Sequence, residues 1–120
     1  MKKILIVAAV SLLLSYTSAM SSTALFAGSK ASRPETAAQG LYNAWKRNDR
    51  RAALKVASSS AVNKVFRTRY GGPGWQFNGC ERRSSAYNCF FYYEGGGVNM
   101  RVTGSSRSGY RVNSVSFIAD

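Results

Sequence analysis

Apolar positions change period twice along the chain, and each change marks a different kind of segment. Ile4 to Leu14 reads ILIVAAVSLLL, interrupted only by Ser11, and it follows Lys2 and Lys3. Small and polar residues from Ser15 to Ala19 come next, with Thr17 and Ala19 at the two positions a signal peptidase inspects. A charged start, a short apolar run and a small-residue exit predict a secretory signal peptide over residues 1–19, with cleavage after Ala27 as the alternative. As a helix, the run would reach about 16 Å, well short of a hydrocarbon core of roughly 30 Å. Residues 20–31, MSSTALFAGSKA, keep no period and predict a flexible leader. Residues 32–120 are expected to form a single domain.

That domain opens on a helical period. Ser32-Arg33-Pro34-Glu35 has the spacing of a capping box, with Pro in the first turn. Ala38, Leu41, Tyr42 and Trp45 then form one stripe, opposite Gln39, Asn43, Lys46 and Arg47. Asn48-Asp49 ends this helix, and Asp49 is placed to cap the next. The second helix is expected over about Arg50 to Ala57, with Ala53, Leu54 and Ala57 inward. Ser58-Ser59-Ser60 interrupts it and supplies an N-cap for a third helix, Ala61 to about Arg67, carrying Val62, Val65 and Phe66.

Gly71-Gly72-Pro73-Gly74 stops the helical pattern, and the period falls to two. Trp75 and Phe77 alternate with Gln76 and Asn78; a polar turn over Glu81 to Ser85 follows. Ala86 to Glu94 reads as a strand with Tyr87, Cys89, Phe91 and Tyr93 on one face and Asn88, Phe90, Tyr92 and Glu94 on the other. Gly95-Gly96-Gly97 turns the chain into Val98, Met100 and Val102. After a Ser/Gly loop from Gly104 to Gly109, the last strand carries Tyr110 and Val112 at even positions but Val115 and Phe117 at odd ones. One extra residue near Asn113-Ser114 keeps both pairs on one face, so the pattern predicts a β-bulge and a curved sheet. Helices first and a four-strand antiparallel meander second make the fold class α+β, with N-terminal helices packed on a curved sheet.

The segment Leu41-Tyr42-Asn43-Ala44-Trp45-Lys46-Arg47-Asn48-Asp49-Arg50-Arg51-Ala52-Ala53, the later Trp75–Cys80 strand and the paired Cys89 resemble the pattern of small secreted bacterial domains with the cystatin-like, or nuclear-transport-factor-2-like, cone. The resemblance spans about Pro34 to Phe117. It implies a helix-filled cone; the secreted members it brings in are largely uncharacterised, so it speaks to fold more than to function. Enzymes of the wider superfamily use His and Asp in the cone's pocket, and no such residues have matching positions here.

Composition narrows the chemistry. The chain has 17 Lys and Arg, 5 Asp and Glu and no His, for a formal charge of +12, which becomes +10 when Lys2 and Lys3 leave with the signal peptide. Without His there is no imidazole triad, Cys–His pair or imidazole metal site. The expectation is therefore no enzyme, no cofactor and no metal, with a small secreted hydrolase as the remaining enzymatic alternative. Cys80 and Cys89 in an exported chain predict a disulfide and a periplasmic or extracellular address.

The expected role is a non-catalytic interaction module for a protein or small ligand. The alternative is a polyanion binder for nucleic acid, lipopolysaccharide, a cell-wall polymer or an anionic membrane surface. Lys46, Arg47, Arg50, Arg51, Lys55, Arg82, Arg83, Arg101 and Arg111 are its candidate contacts, and Lys64, Arg67 and Arg69 form a further basic group. Arg outnumbers Lys 11 to 6, which favours bidentate contacts to phosphate or carboxylate. A solvated, solubilising surface explains the same charge without any ligand. Phe90-Phe91-Tyr92-Tyr93 puts two rings on each sheet face. Phe90 and Tyr92 are the candidates for contact through the open face, including a homodimer; ordinary cross-strand packing competes with that reading.

Overall fold

The computed structural model of the protein describes residues 30–119. The expected signal peptide and nearly all of the expected leader lie outside the described residues. Packing already begins at Ala31, which is buried and whose carbonyl accepts the Tyr110 N–H at 2.9 Å.

Helix α1 runs Pro34–Arg47. Its start differs from the capping box that the sequence suggests. Arg33 is the N-cap, extended at φ −140° and ψ 150°, with no side-chain cap hydrogen bond. The ring of Pro34 excludes helical angles at the residue before it, so Ser32 sits one residue too early to cap. Glu35 pairs instead with Arg33, Nε to Oε1 3.5 Å. The apolar stripe buries Ala37, Ala38, Leu41, Ala44 and Trp45. Asn48 closes the helix in the left-handed conformation at φ 58°, and Asp49 Oδ1 accepts the Ala52 N–H at 3.1 Å to open helix α2 (Arg50–Leu54).

Helix α2 is shorter than expected, and Leu54, expected inward, is 43% exposed. The backbone has a competing partner. Val112 N–H donates to the Val56 carbonyl at 2.8 Å, and Ser58 N–H donates to the Val112 carbonyl at 2.9 Å. Residues 56–58 thus pair with β4, through a parallel bridge at Ala57, instead of prolonging the helix. Ala53 and Ala57 are fully buried, as the helical spacing predicts. Ser58 Oγ accepts the Ala61 N–H at 3.2 Å and starts helix α3 (Ser59–Arg67), which buries Ala61, Val62 and Val65.

The sheet is an antiparallel meander in the order β1-β2-β3-β4. Its strands are β1 (Gln76–Arg83), β2 (Ala86–Tyr93), β3 (Gly96–Ser105) and β4 (Gly109–Ala119). Pairing continues to Arg83↔Ala86, so the first turn contracts to Ser84-Ser85, with Ser84 at φ 58°. The second turn is Glu94-Gly95; Gly96 and Gly97 belong to β3. At Gly97 a Cβ would lie 2.8 Å from the Phe91 carbonyl, which accounts for glycine there.

In β4 the register steps from Arg101↔Ser114 to Val102↔Val112, leaving Asn113 as the extra residue of the expected bulge. β1 holds a second irregularity. Phe77↔Phe91 is followed by Cys80↔Cys89, so Asn78 and Gly79 oppose Phe90 alone, with Gly79 at φ 90°. Bulges bend strands and increase twist, and these two curl the sheet from both sides. Cys80 and Cys89 are directly opposed and bonded.

Helices fill one face. Cys89, Phe91, Val98, Met100, Val102, Val112 and Val115 meet Leu41, Trp45, Val62 and Val65 in a single core. Tyr42 stacks on Phe91 at 4.6 Å and 13°, and Trp45 sets its edge against Trp75, Tyr70 and Phe117. Each large apolar side chain buried here stabilises the fold by about 1.5–3 kcal/mol. The opposite face carries Asn88, Phe90, Tyr92, Asn99 and Arg101, with no element of the described chain packed over it.

Candidate anion-binding groove

Three helix ends meet around Phe66. The last turn of α1 brings Lys46, the first turn of α2 brings Arg50, and the end of α3 brings Phe66 and Arg67, with Arg69 just beyond. The helical spacing that turns Val62 and Val65 into the core leaves Phe66 half-buried at the margin, where it forms the floor of a depression. One concavity of about 540 Å³ contains Arg50, Asn63, Phe66 and Arg67; a second of about 430 Å³ contains Lys46, Phe66, Arg67 and Arg69. Phe66 and Arg67 are common to both, so the two concavities adjoin and together make the groove.

The Arg50 guanidinium donates to Asn63 Oδ1 and lies over the Phe66 ring, 5.4 Å from its centroid. This cation–π contact fixes the flat guanidinium on the groove floor. Arg33–Glu35, Arg47–Asp49 and Arg83–Glu81 are the ion pairs among the described residues. Lys46, Arg50, Arg67 and Arg69 take part in none of them. The carbonyl ends of α1 and α3 favour cations nearby, which explains part of the placement of Lys46 and Arg67 but not that of Arg50 or Arg69.

The basic candidates named from the sequence are dispersed over several places in the fold. Only Lys46 and Arg50 line the groove. Arg47 is paired with Asp49 at 3.7 Å. Arg51, Lys55 and Arg101 are exposed and line neither concavity. At the β1–β2 turn, Arg82 lies over Tyr87 and donates from Nε to the Ser84 carbonyl, and Arg83 is held by Glu81 at 3.1 Å. Arg111 is structural. Its guanidinium donates to the carbonyls of Ala57 at 2.7 Å and of Leu54 and Lys55 at 3.3 Å each. Sequence reasoning set Arg67 and Arg69 apart as a separate group. Their proximity to Phe66 at a helix end is the signal that links them to the groove.

Phe90 and Tyr92 lie on the uncovered sheet face, their rings stacked at 6.0 Å and 9°. Beside Phe90 in register, Asn99 Oδ1 is buried without a hydrogen-bond partner. Among the described residues, no three His, Cys, Asp or Glu side chains gather where a metal ion could be held, and no helix is long and apolar enough to cross a membrane. Tyr42 and Tyr70 join hydroxyls at 2.7 Å; burial, reinforced by that contact, holds the Tyr42 proton well above the usual phenol range.

No protein-family model, curated protein or solved structure matches the chain.

Proposed function

We propose that the protein is a non-catalytic interaction module that binds a phosphate-bearing polymer in the groove around Phe66. The observation that carries this reading is the placement of Lys46, Arg50, Arg67 and Arg69 along one aromatic-floored groove that no acid among the described residues lines. Arg presents paired donors that match phosphate oxygens, and Phe66 keeps one guanidinium spread flat toward the ligand. The same reading includes an exported protein, supported by the Cys80–Cys89 disulfide and the apolar N-terminal run. It also takes the curled sheet with helices on one side as a cystatin-like or nuclear-transport-factor-2-like cone, supported by the order of its elements.

A labelled ten-nucleotide oligothymidylate, read by fluorescence anisotropy across a salt series, tests the groove. Four cations engaging phosphates on a single strand give a slope of log K against log salt of about −2.8, from roughly −0.7 per contact. Arg67→Gln should bring the slope to about −2.1 by the same count. Binding indifferent to salt, or a slope unmoved by Arg67→Gln, would refute the proposal.

A second reading rests on the open sheet face. The exposed Tyr92, the stacked Phe90 and the unpartnered Asn99 Oδ1 favour contact with a protein or a second copy there. Tyr92→Ser should then abolish a concentration-dependent shift in sedimentation or partner capture without affecting the oligothymidylate titration.

A further inference from the structure

Beyond Arg69 the groove runs into a smaller and more enclosed hollow of about 140 Å³. Its walls are aromatic and come from four separate segments: Trp45 of α1, Trp75 ahead of β1, Tyr93 at the end of β2 and Phe117 of β4. The rings stand at angles to one another. Trp45 and Trp75 are 5.6 Å apart at 71°, Trp75 and Tyr93 4.3 Å apart at 42°, and Trp45 and Phe117 5.9 Å apart at 66°. Trp45 Nε1 donates to the Thr68 carbonyl at 2.8 Å, which fixes the indole plane and leaves its hydrocarbon facing the hollow. Tyr93 is 42% exposed, so this wall is reached from solvent.

An apolar cavity of about 150 Å³ holds one benzene-sized ring, so the volume here suits a single six-membered ring. Aromatic walls also suit a quaternary ammonium ion. Among the described residues the one charged side chain in the lining is Arg69, and no carboxylate lines the hollow. A cation would therefore be repelled where an anion is attracted. Trp45, Thr68 and Arg69 belong both to the hollow and to the basic groove, so an acid group held by Arg69 and a ring held by the tryptophans can be parts of one ligand.

We infer that this aromatic hollow is a subsite for a six-membered ring that carries a negative charge, with Trp75 and Tyr93 together forming one wall against the ring and Arg69 binding the acid. The inference rests on the groove reading only for the idea that an anion is the natural occupant; the ring site stands on its own geometry. Two sources share this chemistry: a free aryl acid, or the ring and acid of one unit in an anionic polymer.

The chain's 2 tryptophans both line the hollow, so intrinsic emission reports its occupancy directly. Titration with phenylacetate should give a saturable change, with affinity about tenfold or more above phenylacetamide, acetate and choline, the scale of one charge-assisted hydrogen bond. Arg69→Gln, at an exposed position, should bring phenylacetate and phenylacetamide close to parity. Tyr93→Ala keeps both tryptophans and should weaken the two ring compounds together. No emission change, equal binding of the neutral amide by the unaltered protein, or tighter binding of choline would each overturn the inference. Displacement of phenylacetate by oligothymidylate would assign the hollow to a polymer unit, and its absence would assign it to a free acid; both results keep the ring-and-acid site. Loss of polymer binding with phenylacetate binding intact would overturn the groove reading alone. Salt-dependent polymer binding with no response to phenylacetate would overturn this inference alone.

Discussion

Replacing Arg111 by Gln should separate the cations that hold the fold from those that face a ligand. Its guanidinium gathers three carbonyls where the chain leaves α2 and turns along β4. The bonds to Leu54 and Lys55 are long, at 3.3 Å, and exposed, so they contribute little. The bond to Ala57 is short, at 2.7 Å, and partly buried. A hydrogen bond to a charged group is worth about 1.5–3 kcal/mol, and counting this one alone gives the expected loss. In a domain of this size 1 kcal/mol shifts the midpoint by about 4–8 °C, so a fall of at least about 6 °C follows. Urea unfolding monitored by tryptophan emission should show a lower midpoint with an unchanged m value, as expected when stability falls and the exposed surface does not change. Arg111→Lys keeps the charge but loses the planar fork, and should recover less than half of the deficit. The oligothymidylate salt slope should not move in either variant. A loss below about 0.5 kcal/mol, the range of ordinary surface substitutions, would show that the carbonyl contacts do not anchor this turn.

Two further outcomes follow from the fold. The Cys80–Cys89 bond closes a sequence separation of 9, for which loop-closure entropy gives about 2.6 kcal/mol; Cys80→Ala with Cys89→Ala should lower the urea midpoint accordingly, and an unchanged midpoint would refute it. Because burial and the Tyr70 hydroxyl raise the Tyr42 phenol above its ordinary value, the unfolded chain gives up this proton first as pH climbs past about 10, and the folded chain retains it. Stability present below that pH is then lost as pH rises. Tyr42→Phe should decline less steeply in thermal melts taken from pH 9 upward, and parallel curves for the two proteins would count against the argument.

Residue parity made much of the sheet legible. The switch from Tyr110 and Val112 to Val115 and Phe117 located the Asn113 bulge, because large apolar residues on both sides declare which way they face. The β1 bulge escaped because the residue beyond it is Cys80, whose side chain packs on either face and so declares nothing. Ser32 and Leu54 misled for a common reason. A local pattern favoured one geometry, and a stronger constraint prevailed: the proline ring at position 34, and the β4 backbone with Arg111 beside residues 54–58. The groove was legible only in pieces. Lys46, Arg50 and Arg67 fall on three different helices, with the Asn48-Asp49 break between the first two, and nothing along the chain brings those helices together. That step needs the burial of Leu41, Trp45, Val62 and Val65 against one sheet face. The aromatic hollow is less local still, since its four rings come from four segments.

The parallel bridge at Ala57 has a bearing on how copies of the protein meet. A meander in sequence order leaves β1 and β4 as its two outer strands, and outer strands with free N–H and C=O groups invite pairing with other chains. On β4, residues 56–58 occupy part of that row through Val112. On β1, the bulge at Asn78-Gly79 breaks the row, and Glu81, Arg82 and Arg83 load its far end with charge. Growth of the sheet from molecule to molecule is thus opposed at both margins by different means: a length of the chain's own backbone over part of one, and broken register with charge at the other. Residues 56–58, which end α2 early, act as a guard against aggregation, and variants that restore a full helix through Ala57 should gain a sticky edge.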